Sequence, residues 1–217
     1  MESKRDELRA GLAQLTDLEI GRLKSVVVAS YRNDPDVVVI ALDDPCERVR
    51  AAAISAMVRM GIADNPIVGK ALGDLAIEVR LAGARAAKSK LDFPLIPYLK
   101  SERDPLVLEA IIFAVGERGE TEAFDELCFI ALKHPDALCR EAAIAAFANF
   151  QNEASMSVLQ EAALDKAPIR RRVAIALAGL ENAQASELLK KLSKDRDWQT
   201  RQIADELLAI ELGSDLD

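Results

Sequence analysis

Apolar residues along this chain recur with the spacing of a helix that buries one face. In two clear examples they fall at positions i, i+3, i+4, i+7, i+8 and i+11. These examples are Val49, Ala52, Ala53, Ala56, Met57 and Met60, and Cys139, Ala142, Ala143, Ala146, Phe147 and Phe150. Because 3.6 residues make one turn, this spacing puts all six side chains on one side of a helix. The pattern therefore predicts amphipathic α-helices.

The same pattern returns about every 30 residues. Segments 49–57 and 79–87, which read VRAAAISAM and VRLAGARAA, begin 30 residues apart. Four more segments occupy the same positions and begin at Val107, Cys139, Ile169 and Thr200. Helices this short cannot bury their apolar face alone, so the copies must stack on their neighbours. We therefore predict an all-α fold, an α-solenoid (superhelix) of about six helical hairpins.

A shorter apolar segment precedes each copy and is predicted to form the first, outer helix of its hairpin. These segments are 37–42, 67–72, 95–99, 124–132, 157–164 and 188–192. Pairs such as Asp34-Pro35 and Asn65-Pro66 place a capping residue before a proline at candidate helix starts. Pro94 and Pro97 instead lie inside an outer segment, and they predict a shortened or kinked helix there.

The repeats are expected to lie between two terminal segments. Residues 16–19, which read TDLE, form a capping-box signature that predicts a helix to about Ser30. We assign residues 1–33 to an N-terminal helical cap, 34–212 to the repeats, and 213–217 to an acidic C-terminal tail that frays. The three parts are expected to form one continuous domain.

The repeated segments resemble the HEAT-repeat family, and in particular the short HEAT-like repeats of phycobilisome lyase subunits. The resemblance rests on segments 44–61 and 74–87, with their pattern of Asp, a gap, Val-Arg and alanines, and on Asp195 with Arg201. It implies that Asp and Arg of successive repeats form a polar ladder. The ladder residues would be Asp44, Arg50, Asp74, Arg80, Arg140, Arg170, Asp195 and Arg201. Leu108 stands in the Arg position of the third copy, which implies a gap in the middle of the ladder.

Composition restricts the expected partners and the expected location. The formal net charge of −8 disfavours non-specific attraction to phosphate backbones and to anionic membranes. No apolar run approaches the roughly 18 residues that a membrane-spanning helix needs, and the first residues lack a signal-peptide pattern. Three cysteines without a C-x-x-C pair suit buried, free thiols in a reducing cytosol. We expect a cytoplasmic protein that binds neither nucleic acid nor membranes.

The sequence offers little for catalysis. Its one histidine, His134, occupies the kind of turn position held elsewhere by Asp44 or Asp104, so a turn role is expected. One histidine excludes the paired His-Glu iron site of deoxyhypusine hydroxylase, a HEAT-like relative. The motifs of phosphate loops, nucleophile elbows and zinc clusters are missing. The single tryptophan, Trp198, is expected to shield the open end of the stack. We therefore expect no enzyme, no cofactor and no metal.

These observations predict a non-enzymatic scaffold or adaptor that binds a protein partner along the concave face of the stack. Phe113 is the candidate aromatic anchor of that face, between basic residues before it and acidic residues after it. The candidate face comprises Arg59, Arg85, Lys88, Glu109, Phe113, Glu117, Glu141, Asn149 and Arg171. The family resemblance implies an alternative, a bilin or phycobiliprotein lyase-like or phycobilisome-degradation-like subunit that acts on a pigment protein.

Overall fold

The predicted all-α fold of HEAT-like helical hairpins is confirmed in the computed structural model of the protein, which describes residues 15–90, 92–150, 154–180 and 182–214. These ranges contain thirteen α-helices and no β-strand. By its internal contacts the chain divides into two compact units, Met1–Ala86 and Ala87–Asp217. The predicted division into cap, repeats and tail stays a prediction, and its residues 1–14 and 215–217 lie outside the described ranges.

The first unit is built on five helices. They are α1 (Asp17–Arg32), α2 (Pro35–Ala41), α3 (Glu47–Arg59), α4 (Asn65–Leu72) and α5 (Ile77–Ala87), whose last residue opens the second unit. Helix α1 packs on α2 and α3, and α3 packs on α4. Fully buried side chains such as Val38, Val49 and Ala53 form the core between them.

The second unit continues the alternation of short and longer helices. It contains α6 (Ile96–Ser101), α7 (Pro105–Arg118), α8 (Phe124–Lys133), α9 (Ala137–Ala146), α10 (Ala154–Ala162), α11 (Ala167–Leu177), α12 (Ala183–Leu192) and α13 (Trp198–Ser214). The second helices α7, α9, α11 and α13 pack one against the next, and the outer helices α8, α10 and α12 do the same. This is the stacking that the repeat predicts.

Helix starts in both units are fixed by polar side chains that accept backbone N–H groups. Thr16 and Glu19 form the predicted capping box of α1. Asp64, Asp104 and Asp136 cap α4, α7 and α9, because each carboxylate accepts a backbone N–H of the first turn. These N–H groups have no partner within their own helix, so capping stabilises each helix at the residue where the sequence places it.

The proline-containing outer segment forms the shortest α-helix in the described part of the chain. Helix α6 spans only Ile96–Ser101, and Pro97 lies in its first turn, where a missing N–H costs nothing. The predicted shortening is therefore confirmed.

Small residues bring neighbouring second helices close together. Gly116 of α7 faces Ala146 at the end of α9, and a methyl group added at Gly116 would lie 2.8 Å from the Ala146 Cβ. A carbon atom at that distance overlaps its neighbour, so only glycine fits here without a shift of α9. The close contact of two consecutive repeats thus depends on the absence of a side chain.

We expect Gly116→Ala to lower the free energy of unfolding by about 1–2 kcal/mol, because overpacking outweighs the gain in helix propensity. Gly21 of α1 is the matched control, since it is exposed and has no atom within 4 Å of an added methyl group. Gly21→Ala should raise stability by about 0.5–1 kcal/mol. Urea unfolding of both variants measures the difference, and equal effects of the two substitutions would contradict the packing account.

Candidate functional site

Arginines of the second helices join successive repeats. In the first unit, Nε and Nη2 of Arg50 donate to the two carboxylate oxygens of Asp74, at 2.9 and 2.8 Å. Nη1 of the same side chain donates to the backbone carbonyls of Asp44 and Pro45. One guanidinium therefore holds the turn of its own repeat and the turn of the next repeat at once.

The second unit repeats this arrangement twice. Arg140 donates to both carboxylate oxygens of Asp165, and Arg170 to both oxygens of Asp195 at 2.7 Å. Arg80 in the first unit and Arg201 in the second each donate from Nη1 to backbone carbonyls of the preceding turn, as Arg50 does. The sequence analysis did not identify Asp165, because this residue lies five positions before Arg170. The predicted ladder aspartates lie six positions before the arginine that follows them.

A further rung lies in the segment that the sequence assigned to the N-terminal cap. Arg22 of α1 donates through Nε and Nη2 to both carboxylate oxygens of Asp44, which is the same two-pronged contact. Helix α1 thus packs on α3 through the contact that joins second helices elsewhere. Along the sequence, Arg22 precedes Asp44 by nearly as many residues as Arg50 precedes Asp74. This spacing is the signal that would have revealed the rung.

The gap in the ladder involves two residues, and not Leu108 alone. The position six residues before Arg140, which holds the rung aspartate in other repeats, is His134. Nδ1 of His134 accepts the backbone N–H of Asp136, just as the Asp44 and Asp74 carboxylates accept the N–H two residues later. His134 therefore keeps the turn, while the buried Leu108 leaves it without a guanidinium.

The rungs lower the pKa of their carboxyl groups. Hydrogen bonds from Arg50 and from Arg170 hold the pKa values of Asp74 and Asp195 below their usual range, against the opposing effect of burial. For Asp44, burial is the largest influence and acts upwards, but hydrogen bonds from Arg22 and from the Cys46 amide leave its pKa lowered. A carboxylate that is favoured in the folded state stabilises that state.

The Arg170–Asp195 rung offers the sharpest stability test, because the Arg170 side chain is only 5% exposed. We expect Arg170→Ala to lower the free energy of unfolding by about 2–3 kcal/mol, since it leaves Asp195 partly buried without its cation. Arg172, on the same helix and half-buried, is the control of equal charge, and Arg172→Ala should change stability by about 0.5 kcal/mol or less. Chemical denaturation measures the free energy of unfolding of both variants. Similar losses of stability in the two would argue against the ladder.

Acid should weaken the fold through the same carboxylates. Their folded-state pKa values lie below the value of about 3.9 for an unfolded aspartate, so their contribution is complete above roughly pH 5 and is lost as the pH falls through the folded values. Urea unfolding across pH 2–6 should show constant stability at the upper end and a decline below about pH 4. Asp195→Asn should lose less stability than the native chain as the pH falls. The same dependence of stability on pH in both proteins would count against the assignment of this decline to the rung carboxylates.

A second arginine that the sequence did not single out fixes the start of the second unit. Arg118, at the end of α7, is almost fully buried and donates to the backbone carbonyls of Ala87 and Phe93. It also forms an ion pair with Glu120, whose pKa is raised by burial. The contact anchors the segment that leads into α6.

The predicted anchor Phe113 lies on the exposed side of α7 and is 54% exposed. The Lys88 ammonium stands over its ring, 4.7 Å from the ring centre, and forms an ion pair of 2.9 Å with Glu117. Glu109 is half-buried one turn before Phe113. The structure therefore brings Lys88, Phe113 and Glu117 together into a cluster on the surface, which we call the Phe113 cluster.

The other predicted face residues lie outside the Phe113 cluster. In the second unit, Arg171 donates to both carboxylate oxygens of Asp197, and Asn149 donates to the carbonyl of Gly116. Glu141 is half-buried on α9. In the first unit, Arg59 stands 4.5 Å from the Tyr31 ring centre, and Arg85 is exposed on α5.

Two further predictions on single residues have different outcomes. Trp198 opens α13, but 61% of its surface is exposed, so the expectation that it shields the stack is wrong. Cys46 and Cys139 are buried and Cys128 is half-buried, all as free thiols. Burial raises the pKa of Cys139 to about 12, so this thiol stays protonated.

One comparison with known protein families agrees with the repeat geometry of the second unit. A family profile described as HEAT repeats matches residues 93–178, which run from the start of α6 through α11. This part of the chain is therefore similar to HEAT repeats. No curated protein matches the sequence. Within the described ranges, no helix is long and apolar enough to span a membrane, and no cluster of three metal-ligating side chains is found.

Two solved structures show limited similarity to this chain. Human deoxyhypusine hydroxylase, in complex with glycerol, is 19% identical, with 87% of this chain and 78% of that chain covered and a TM-score of 0.46. An engineered protein is 18% identical, with 86% and 83% covered and a TM-score of 0.37.

Proposed function

We propose that this HEAT-repeat chain is a non-catalytic scaffold or adaptor, and that a segment of a protein partner binds its second helices at the Phe113 cluster. One observation carries the proposal. Phe113 is a large apolar ring, 54% exposed, on a helix whose neighbouring residues Ile112 and Ala114 are buried. Exposed aromatic rings with charged neighbours are typical anchors of protein interfaces.

The charges of the Phe113 cluster favour a partner with both apolar and charged side chains. Glu109, Phe113 and Glu117 are spaced four residues apart and so lie on one side of α7. Lys88 covers part of the ring and neutralises Glu117. A partner side chain that packs on the ring would displace or share this lysine, and a partner cation would pair with Glu109.

We place the activity in the cytoplasm, as the cysteine content suggests. Cys46, Cys128 and Cys139 are free thiols, and a reducing compartment keeps them so. HEAT repeats serve in general as protein-binding surfaces, which supports a binding role for residues 93–178.

Co-purification with the tagged full-length chain from its native host, quantified by mass spectrometry, tests the proposal. Phe113→Asp should reduce recovery of the specific partner at least tenfold, because it removes the anchor and adds charge. Glu109→Lys should reduce it by a smaller factor.

Trp198→Asp is the matched control, since Trp198 is a similarly exposed aromatic residue but lies at the start of α13. It should leave this recovery unchanged. Circular dichroism must show that each variant is folded. Full recovery with folded Phe113→Asp protein would refute the proposed site.

A further inference from the structure

Exposed apolar side chains recur at one position of three consecutive second helices in the second unit. This position lies five residues after the one that holds the rung arginine, and it is occupied by Phe113 on α7, Ala145 on α9 and Ile175 on α11. Phe113 is 54% exposed, Ile175 is 47% exposed, and the small Ala145 between them is half-buried. Because α9 packs on both α7 and α11, the three side chains follow one another across the surface. We call them the apolar row.

The apolar row is not needed for the packing of the helices that carry it. On each helix the residue before and the residue after the row position are buried, as Ile144 and Ala146 are on α9. These buried residues already form the contacts with the core, whereas the row points away from it. A single exposed apolar side chain is common in proteins, but several that are aligned across neighbouring helices form a continuous patch. Such a patch is typical of a binding surface.

Carboxylates accompany the apolar row along its length. Glu109 and Glu141 lie one turn before the row residues of α7 and α9, and both are half-buried. Since they occupy the same position of consecutive repeats, they lie on the same side of the row. On α13 the row position itself is held by Glu206, which is exposed and accepts a hydrogen bond from Gln202.

The cations beside the row do not balance these carboxylates. Lys88 forms an ion pair with Glu117, and Arg171 donates to both carboxylate oxygens of Asp197. The half-buried Arg172 is the third cation, so carboxylates outnumber cations by five to three along the row. The surplus of negative charge favours a partner with basic side chains and disfavours an acidic one.

The spacing of the row matches the rise of an α-helix. Packed helices lie about 8–10 Å apart, and seven residues of an α-helix, which make nearly two turns, rise about 10.5 Å. A helix that crosses α7, α9 and α11 can therefore place its residues i, i+7 and i+14 over the three row residues. In an extended strand, side chains on one face recur about every 6.6–6.8 Å, which does not fit this spacing.

We propose that the apolar row binds a basic amphipathic helix of a protein partner. The apolar face of that helix packs on Phe113, Ala145 and Ile175, and its lysine or arginine side chains pair with Glu109 and Glu141. This inference rests on the proposed function, since it names the kind of segment that Phe113 anchors. It extends the site from α7 to α9 and α11.

Binding of synthetic peptides to the full-length chain tests the inference by fluorescence anisotropy at about 0.15 M salt. The probe is a labelled peptide of about 18 residues, long enough to cross three helices, with leucine on one helical face and lysine on the other. One control peptide carries glutamate in place of lysine, and another carries proline at its centre, which breaks the helix. The lysine peptide should bind at least tenfold more tightly than either control.

Variants of the chain locate the bound peptide. Phe113→Ala and Ile175→Ala leave the charge unchanged and should each weaken binding of the lysine peptide about fivefold, and Glu141→Lys should weaken it severalfold. Glu187→Lys is the control of equal charge change, because Glu187 is exposed on the outer helix α12. Trp198→Ala is the control for loss of an exposed apolar group. Both control variants should keep native affinity, and circular dichroism checks the fold of every variant.

The outcomes separate this inference from the proposed function. Weaker binding with Phe113→Ala, but native affinity with Ile175→Ala and Glu141→Lys, would leave Phe113 as an anchor and overturn a helix across the row. Equal binding of the glutamate or proline peptide would also overturn it, as would an equal loss with Glu187→Lys. Recovery of the native partner by folded Phe113→Asp protein decides the proposed function independently.

Discussion

Each rung of the ladder fixes the position of one repeat against the next. The guanidinium of Arg50 contacts the carbonyls of its own turn and the carboxylate of Asp74 in the following repeat. Hairpins with many alanines pack closely, but apolar contacts are not directional and would allow one helix to slide along another. The paired hydrogen bonds of a guanidinium and a carboxylate are directional and permit only one register. The exposed face of each second helix follows from that register.

The third repeat keeps the fold without this contact. His134 holds the turn of the next repeat through Nδ1, Asp104 caps α7, and the buried Leu108 adds to the apolar core. The buried Arg118, close to the other end of α7, binds the segment before α6. The loss of one rung is thus offset by local contacts.

The sequence predicts the fold well, because helix periodicity and capping act locally. The bounds of most outer helices lie within a few residues of the predicted segments, and α6 is short where Pro97 requires it. The site was less predictable, since its contacts join residues about 25 positions apart. Asp165 was missed because a shorter loop shifts its spacing, and Arg22 because it lies in the segment assigned to the cap. His134 was recognised as a turn residue but not as the partner position of Leu108. Trp198 was misjudged because helical position alone does not determine whether a neighbour covers a side chain.

The central claim is that a rung couples two repeats energetically, and a double-mutant cycle on Arg170 and Asp195 measures that coupling most directly. The cycle compares the free energies of unfolding of the native chain, Arg170→Met, Asp195→Asn and the combined variant at neutral pH. We expect an interaction energy of about 1–3 kcal/mol, as for a partly buried, charge-assisted pair. Substitution effects that simply add, with an interaction energy within about 0.3 kcal/mol of zero, would contradict the account.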